Sequence, residues 1–154
     1  MAQISFSIVV VCLNPGEKLL KTVQSVLNQK YGNYEIVVKD GGSTDGSLEQ
    51  LPADSRIRVY TRPDSGIYDA MNQAMSYVTG QFVQFLNCGD LLHDDMVLER
   101  LAAVIERKRG RGADGEGLGH KEKERIFYGN QYHEAWGSVI YSACLLYTSP
   151  SPRD

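Results

Sequence analysis

Four short apolar runs, FSIVVVC at 6–12, YEIVV at 34–38, RIRVY at 56–60 and QFVQFL at 81–86, recur along the chain with helix-like stretches between them. No other feature restricts the fold as strongly. Runs rich in Val, Ile and Phe suit strands, and a run without polar alternation suits a strand covered on both faces. Between the runs the apolar residues adopt helical spacing. One stripe is Leu19, Leu20, Val23, Val26 and Leu27; the next is Ile67, Ala70, Met71, Ala74, Met75 and Val78; the last is Val97, Leu98, Leu101, Val104 and Ile105. Strands alternating with helices imply βαβ crossovers, so the expected fold is α/β, a mainly parallel central sheet with helices on both faces. Finer expectations follow. Asn14, Pro15 and Glu17 read as the start of the first helix, with Asn14 as its cap. Ile57 and Val59 point inward, Asp94 and Asp95 precede the last helix, and IFY at 126–128 is a fifth strand.

At 154 residues the chain is long enough for one domain with a real core. A net charge of −3 supplies no electrostatic reason to seek nucleic acid, which is not expected as a partner. The three cysteines, Cys12, Cys88 and Cys144, lack zinc-like or framework spacing, which points to a reducing compartment. ISFSIVVVCL is too short for a membrane span and has no basic residue before it, so it reads as a buried strand of a cytoplasmic protein. Residues 1–141 are expected to form the domain. Within it, 109–124 is Gly-rich and charged and reads as a mobile loop, while 142–154 reads as a disordered or non-native tail.

Each expected strand ends on a polar cluster: Cys12-Leu13-Asn14, then Asp40 through Gly46, then Arg62 through Gly66, then Asn87-Cys88-Gly89-Asp90. In a parallel sheet these ends share one rim, where ligands of open α/β sheets bind. The dinucleotide fingerprint and the P-loop are both missing, and DGGSTDGS lacks the alternating ligands of a calcium loop. What remains is a rim of flexible turns and carboxylates. Such a rim can hold a sugar nucleotide, one acid meeting a base or ribose edge and another holding a cation against the diphosphate.

VVVCLN, SVLNQKYGNYEIVVKDGGSTDGS, RPDSGIYDAMNQAM and GQFVQFLNCGD, in this order, resemble the nucleotide-binding half of a family 2 glycosyltransferase, nearest to bacterial members that build cell-surface polysaccharide. The resemblance covers about residues 4–130. It implies a GT-A fold and inverting transfer from a nucleotide sugar to a glycan or lipid-linked acceptor, assisted by Mg²⁺ or Mn²⁺. It also allows peripheral association with the inner face of the membrane. Carried over by position, the substrate-binding residues are Cys12, Leu13, Asn14, Asp40, Asp45, Asp64, Gly66, Ile67, Asp69, Asn72 and Asn87, and the metal ligand is Asp90.

The chain departs from the family in three places. Asp40-Gly41 stands where many relatives have two adjacent acids, and Asn87-Cys88-Gly89-Asp90 keeps only the last acid of a common Asp-x-Asp-Asp pattern. The general base of such enzymes lies downstream, and recognisable pattern stops near Tyr132, so the chain reads as an incomplete, truncated enzyme with no assigned catalytic residue. Blander readings compete. Asp90 can be a turn residue, Asp40 and Asp45 can stabilise a glycine turn, and Asp69 with Asn72 can be a solvated helix face. At the level of the whole chain the alternatives are a non-catalytic nucleotide- or sugar-binding module and an interaction domain using the basic loop at 107–125.

Overall fold

A computed structural model describes residues 3–110, 126–133 and 138–147. The strands are β1 (Phe6–Cys12), β2 (Tyr34–Asp40), β3 (Ile57–Thr61), β4 (Phe82–Asn87), β5 (Ile126–His133) and β6 (Ser138–Tyr147). The helices are α1 (Glu17–Leu27), α2 (Ile67–Ala74) and α3 (Val97–Gly110), with a single 3₁₀ turn at Leu48–Gln50. The sheet order is β3-β2-β1-β4-β6-β5. The first four are mutually parallel; β6 runs antiparallel to both β4 and β5.

The centre of the sheet is β1, and its sequence explains that place. Every residue of FSIVVVC is buried, as a run with neighbours on both edges and helices on both faces must be. Successive strand side chains point to opposite faces. Ile8 and Val10 therefore meet Leu19, Val23 and Val26 of α1 and Leu98 and Ile105 of α3. Val9 and Val11 pack instead with Ala70 and Ala74 of α2. The expected α/β architecture with helices on both faces is what the chain forms.

Strand starts are held by a polar network at the opposite edge from the rim. Glu35 accepts hydrogen bonds from the Ser7 hydroxyl and the Thr79 amide, both at 2.7 Å, and pairs with Arg58. Burial pushes this carboxyl up, but the bonds from Ser7 and Thr79 and the Arg58 charge outweigh it and leave it below the usual range. Gly80 lies against the backbone of β1, and a Cβ there would be 2.7 Å from the Phe6 carbonyl carbon and the Ser7 nitrogen.

Several local expectations are corrected. Asn14 does not cap α1. Gly16 precedes the helix without a side-chain cap, because the Asn14 side chain is engaged elsewhere on the rim. Val59 is 42% exposed, since β3 is an edge strand with one neighbour. Ile67 is 50% exposed at the start of α2 rather than part of the core stripe. That helix closes at Ala74 in tight turns, from Ser76 N–H to the Gln73 carbonyl and from Tyr77 N–H to the Ala74 carbonyl, although Met71, Met75 and Val78 still pack beneath it. The fifth strand continues to His133. Residues 142–147, expected in the tail, are part of β6, which pairs with β4 at Phe82 and Val83. The rest of that tail and most of the expected loop at 109–124 lie outside the described residues.

Candidate functional site

Parallel pairing brings the four polar clusters to one rim. Cys12 stands opposite Asp40, and Val11 is flanked by Lys39 on one side and Asn87 on the other. The turns after β1 and β2 are stitched directly. Gly41 N–H donates to the Cys12 carbonyl at 2.9 Å, Asn14 N–H to Ser43 Oγ at 2.7 Å, and Thr44 N–H to Asn14 Oδ1 at 2.8 Å. Asn14 adopts φ 45°, a left-handed conformation that Asn tolerates better than most residues, and this mutual pair fixes it there. Asp45 accepts from Gly16 N–H at 2.8 Å and from Ser47 Oγ at 2.6 Å. Those bonds, Ser47 first and Gly16 next, hold its carboxyl below the usual range.

Asp40 has no exposed surface. Its carboxylate accepts the Ser43 hydroxyl at 2.5 Å and the amides of Gly42 and Ser43 at 3.1 and 3.0 Å. Burial pushes this carboxyl up, and the bonds from Ser43 and Gly42 outweigh burial and bring it below the ordinary value. Asp40 is therefore an ionised pin for the 41–43 turn. The neighbouring Cys12 thiol is pushed up to about 12 by burial and then by the Asp40 charge, which makes it a packing residue and no nucleophile.

The turn after β3 is held by Lys39, which the sequence reading passed over. Its ammonium donates to the Arg62 carbonyl at 2.6 Å and to Asp64 Oδ2 at 2.9 Å. The signal was available: a lone lysine in YEIVVKD must bury its charge on a partner. Asp64 Oδ1 accepts Gly66 N–H at 3.2 Å, and Asp69 accepts Ser65 N–H at 2.9 Å and the Gln73 amide at 3.1 Å. Gly66 has φ 139°, a conformation open to glycine, where the turn enters α2. Asn72 is exposed on α2, and no described contact ties it to the other rim residues.

After β4, Asp90 N–H closes a turn on the Asn87 carbonyl at 2.9 Å, and Gly89 N–H donates to Thr22 Oγ1 of α1 at 2.8 Å. The Cys88 thiol is pushed up by burial, and by the charges of Asp45 and Asp90 against the opposing pull of Lys18. Both acids therefore lie close enough to this turn to be felt there. Among the described residues the Asp90 carboxylate has no hydrogen-bond or ion-pair partner. No group of three or more His, Cys, Asp or Glu among them is placed to hold a metal. The rim thus offers one free acid rather than a protein cage.

The sheet, the rim and the order of its turns meet a family description at this point. Residues 7–147 match Glycosyl transferase family 2. The chain belongs to that family.

A PGL/p-HBAD biosynthesis glycosyltransferase of Mycobacterium tuberculosis strain H37Rv is 36% identical over 110 residues, 68% of this chain and 43% of the relative. The glycosyltransferase GlyG of Streptococcus pneumoniae serotype 4 is 31% identical over 127 residues, 79% of this chain and 42% of the relative. The chain therefore spans less than half the length of these family members. Among solved structures, S. aureus TarS matches with TM-score 0.61 and 21% identity over 80% of this chain and 40% of that one, in a complex with UDP among others. The mannosyltransferase PcManGT of Pyrobaculum calidifontis, in complex with GDP-Man and Mn²⁺, matches with TM-score 0.59 and 21% identity, covering 67% of this chain and 32% of that one. These likenesses show the shared GT-A fold.

Proposed function

We propose that this family 2 chain is the donor-binding part of an inverting glycosyltransferase that draws a sugar from a nucleoside diphosphate sugar. One observation carries the reading. The ends of four parallel strands place Asp40, Asp64 and Asp90 on one rim, with the turns between them locked by hydrogen bonds before any ligand arrives. Preorganised turns of this kind can bind and orient a nucleotide without a further ordering cost. The Cys12–Asn14 and Asp40–Ser43 turns frame the nucleoside side. The turn from Asp64 to Gly66, with Ile67, Asp69 and Asn72 beyond it, faces the sugar and diphosphate side.

Asp90 fits the role of a single hard ligand, because its carboxylate is unpartnered among the described residues and stands on the strand end next to β1. Mg²⁺ and Mn²⁺ sites of this kind complete their shell from substrate phosphates and water. Such a cation, when bound, supplies charge neutralisation to the leaving diphosphate. Asn87, exposed at the end of β4, borders the same side. No rim residue is assigned as the general base. The acceptor is read as a glycan or lipid-linked glycan of the cell surface, a reading supported by the biosynthetic name of the mycobacterial relative. The cytoplasmic side of the membrane is read as the place of action, supported by cysteines in no framework spacing. No helix among the described residues is long and apolar enough to cross a membrane.

Calorimetric titration with UDP and GDP, with and without Mn²⁺, tests the reading. Saturable binding that Mn²⁺ tightens, and that Asp90→Asn leaves insensitive to Mn²⁺, is the expected result. Absence of nucleotide binding by a folded chain would overturn it.

A further inference from the structure

A lysine with no exposed surface must find acceptors inside the protein. Lys39 is such a residue, and it finds the carbonyls of Asp40 at 3.2 Å and Arg62 at 2.6 Å and the Asp64 carboxylate at 2.9 Å. The ammonium therefore pulls the turn after β3 onto the end of β2. On the other side of the same carboxylate lies Gly41. A Cβ built there would be 3.0 Å from Asp64 Oδ2, 3.6 Å from its Cγ and 3.5 Å from Leu13 Cδ1. Gly41 is not among the glycines with positive φ, so its backbone would accept a side chain. The space that side chain would fill is occupied by Asp64.

The two acids of this corner are therefore unequal. Asp40 is sealed, with its oxygens committed to Ser43 and Gly42. The Asp64 side chain keeps 11% exposure, and its oxygens, each with one described donor, retain accepting capacity.

We propose that Asp64 is the carboxylate that accepts a hydrogen bond from the nucleoside portion of the donor, and that Lys39 is the positioning residue that seats it in the space left open by Gly41. The inference rests on the donor site proposed above. The partner it requires is a neutral O–H or N–H, either a ribose hydroxyl or the imide N–H of the base. A phosphate oxygen is excluded, because two anions at hydrogen-bond distance repel. Asp40 then has the separate task of shaping the 41–43 turn.

The test is calorimetry on the full chain in Mn²⁺ with UDP, 2′-deoxy-UDP and N3-methyl-UDP, beside circular dichroism and thermal unfolding. The parent chain should bind one analogue about tenfold or more weaker than UDP, and which analogue identifies a ribose or a base contact. Asp64→Asn should lose about tenfold to hundredfold in UDP affinity and no longer distinguish that analogue from UDP. Lys39→Met should lose the same discrimination, and Lys39→Arg should keep part of it. The swap Gly41→Asp with Asp64→Ala should recover most of the affinity lost by Asp64→Ala alone, since it returns a carboxylate to the same space. Unchanged discrimination in a folded Asp64→Asn would overturn the inference while leaving the donor site intact. If Lys39→Met lowers only the melting temperature, Lys39 has no positioning role. Where Asp64→Asn fails to fold, the swap decides, and no recovery overturns the inference. A parent chain that binds no nucleotide overturns the donor site and this inference together.

Discussion

Replacing Gly80 by alanine probes the joint on which the rim depends. Gly80 stands just before β4, and a Cβ there would lie 2.7 Å from the Phe6 carbonyl carbon, the Ser7 nitrogen and Ser7 Oγ. Ordinary carbon contacts are about 3.5–4.0 Å, so the overlap is about 1 Å and falls on backbone. That backbone cannot yield easily, because β1 is paired along its length with β2 and β4. Overpacking of this kind costs about 1–3 kcal/mol. The Gly80 N–H also donates to Ser7 Oγ at 2.8 Å, and displacement would lose that bond, about 1 kcal/mol more. The sum, about 2–4 kcal/mol, is a large share of the roughly 5–15 kcal/mol that holds a domain together. With an m-value of about 2 kcal/mol per molar, urea denaturation should show a midpoint about 1–2 M lower. Nucleotide affinity should fall as well, since β4 carries Asn87 and Asp90 to the rim. Gly32→Ala is the matched control: nothing lies within 4 Å of its Cβ and its φ is not left-handed, so a gain of about 0.4–1 kcal/mol is expected. A Gly80→Ala chain within about 0.5 kcal/mol of the parent would refute the close approach on which this reasoning rests.

Other outcomes follow from the titrating groups. Asp54 is held down to about 2 by the Arg56 side chain first and its amide next, so its contribution is complete above about pH 4 and lost as pH falls toward about 2. Asp40 and Glu35 are also lowered, so they add stability in the same direction. Urea midpoints should therefore be flat from neutrality to about pH 5 and fall below it, with Asp54→Asn blunting the acid-side decline. Cys12, pushed up to about 12, should resist iodoacetamide at pH 8 in the native chain and react readily in urea, as read by peptide mass spectrometry. Rapid native labelling of Cys12 would mean the Cys12–Asp40 corner is open.

The rim was legible because periodicity is a local property. The runs around Val9, Val37 and Phe85 and the stripes around Val23 and Leu98 each declare their element from neighbours in the chain. Once the strands are parallel, their polar ends have to share an edge. Asp90 could be placed at a strand end from FLNCGD alone, and it is there. The antiparallel β6 was not legible, because ACLLY carries no pattern that separates a strand from a tail; its pairing with Phe82 and Val83 is a tertiary fact.

By itself, then, the sequence determined the order of strands and helices, the burial of β1 on both faces and the gathering of acids along one margin. Tertiary structure alone decided which polar group answers which. Asn14 left the helix cap for Thr44 and Ser43, Asp40 was sealed by its own turn, and Lys39 reached across to Asp64. The reason is physical. Apolar burial needs only that a residue face inward, and spacing along the chain is enough to say so. A hydrogen bond needs a particular partner at a particular distance and angle, and here the partners are supplied by turns that meet only when the sheet has formed.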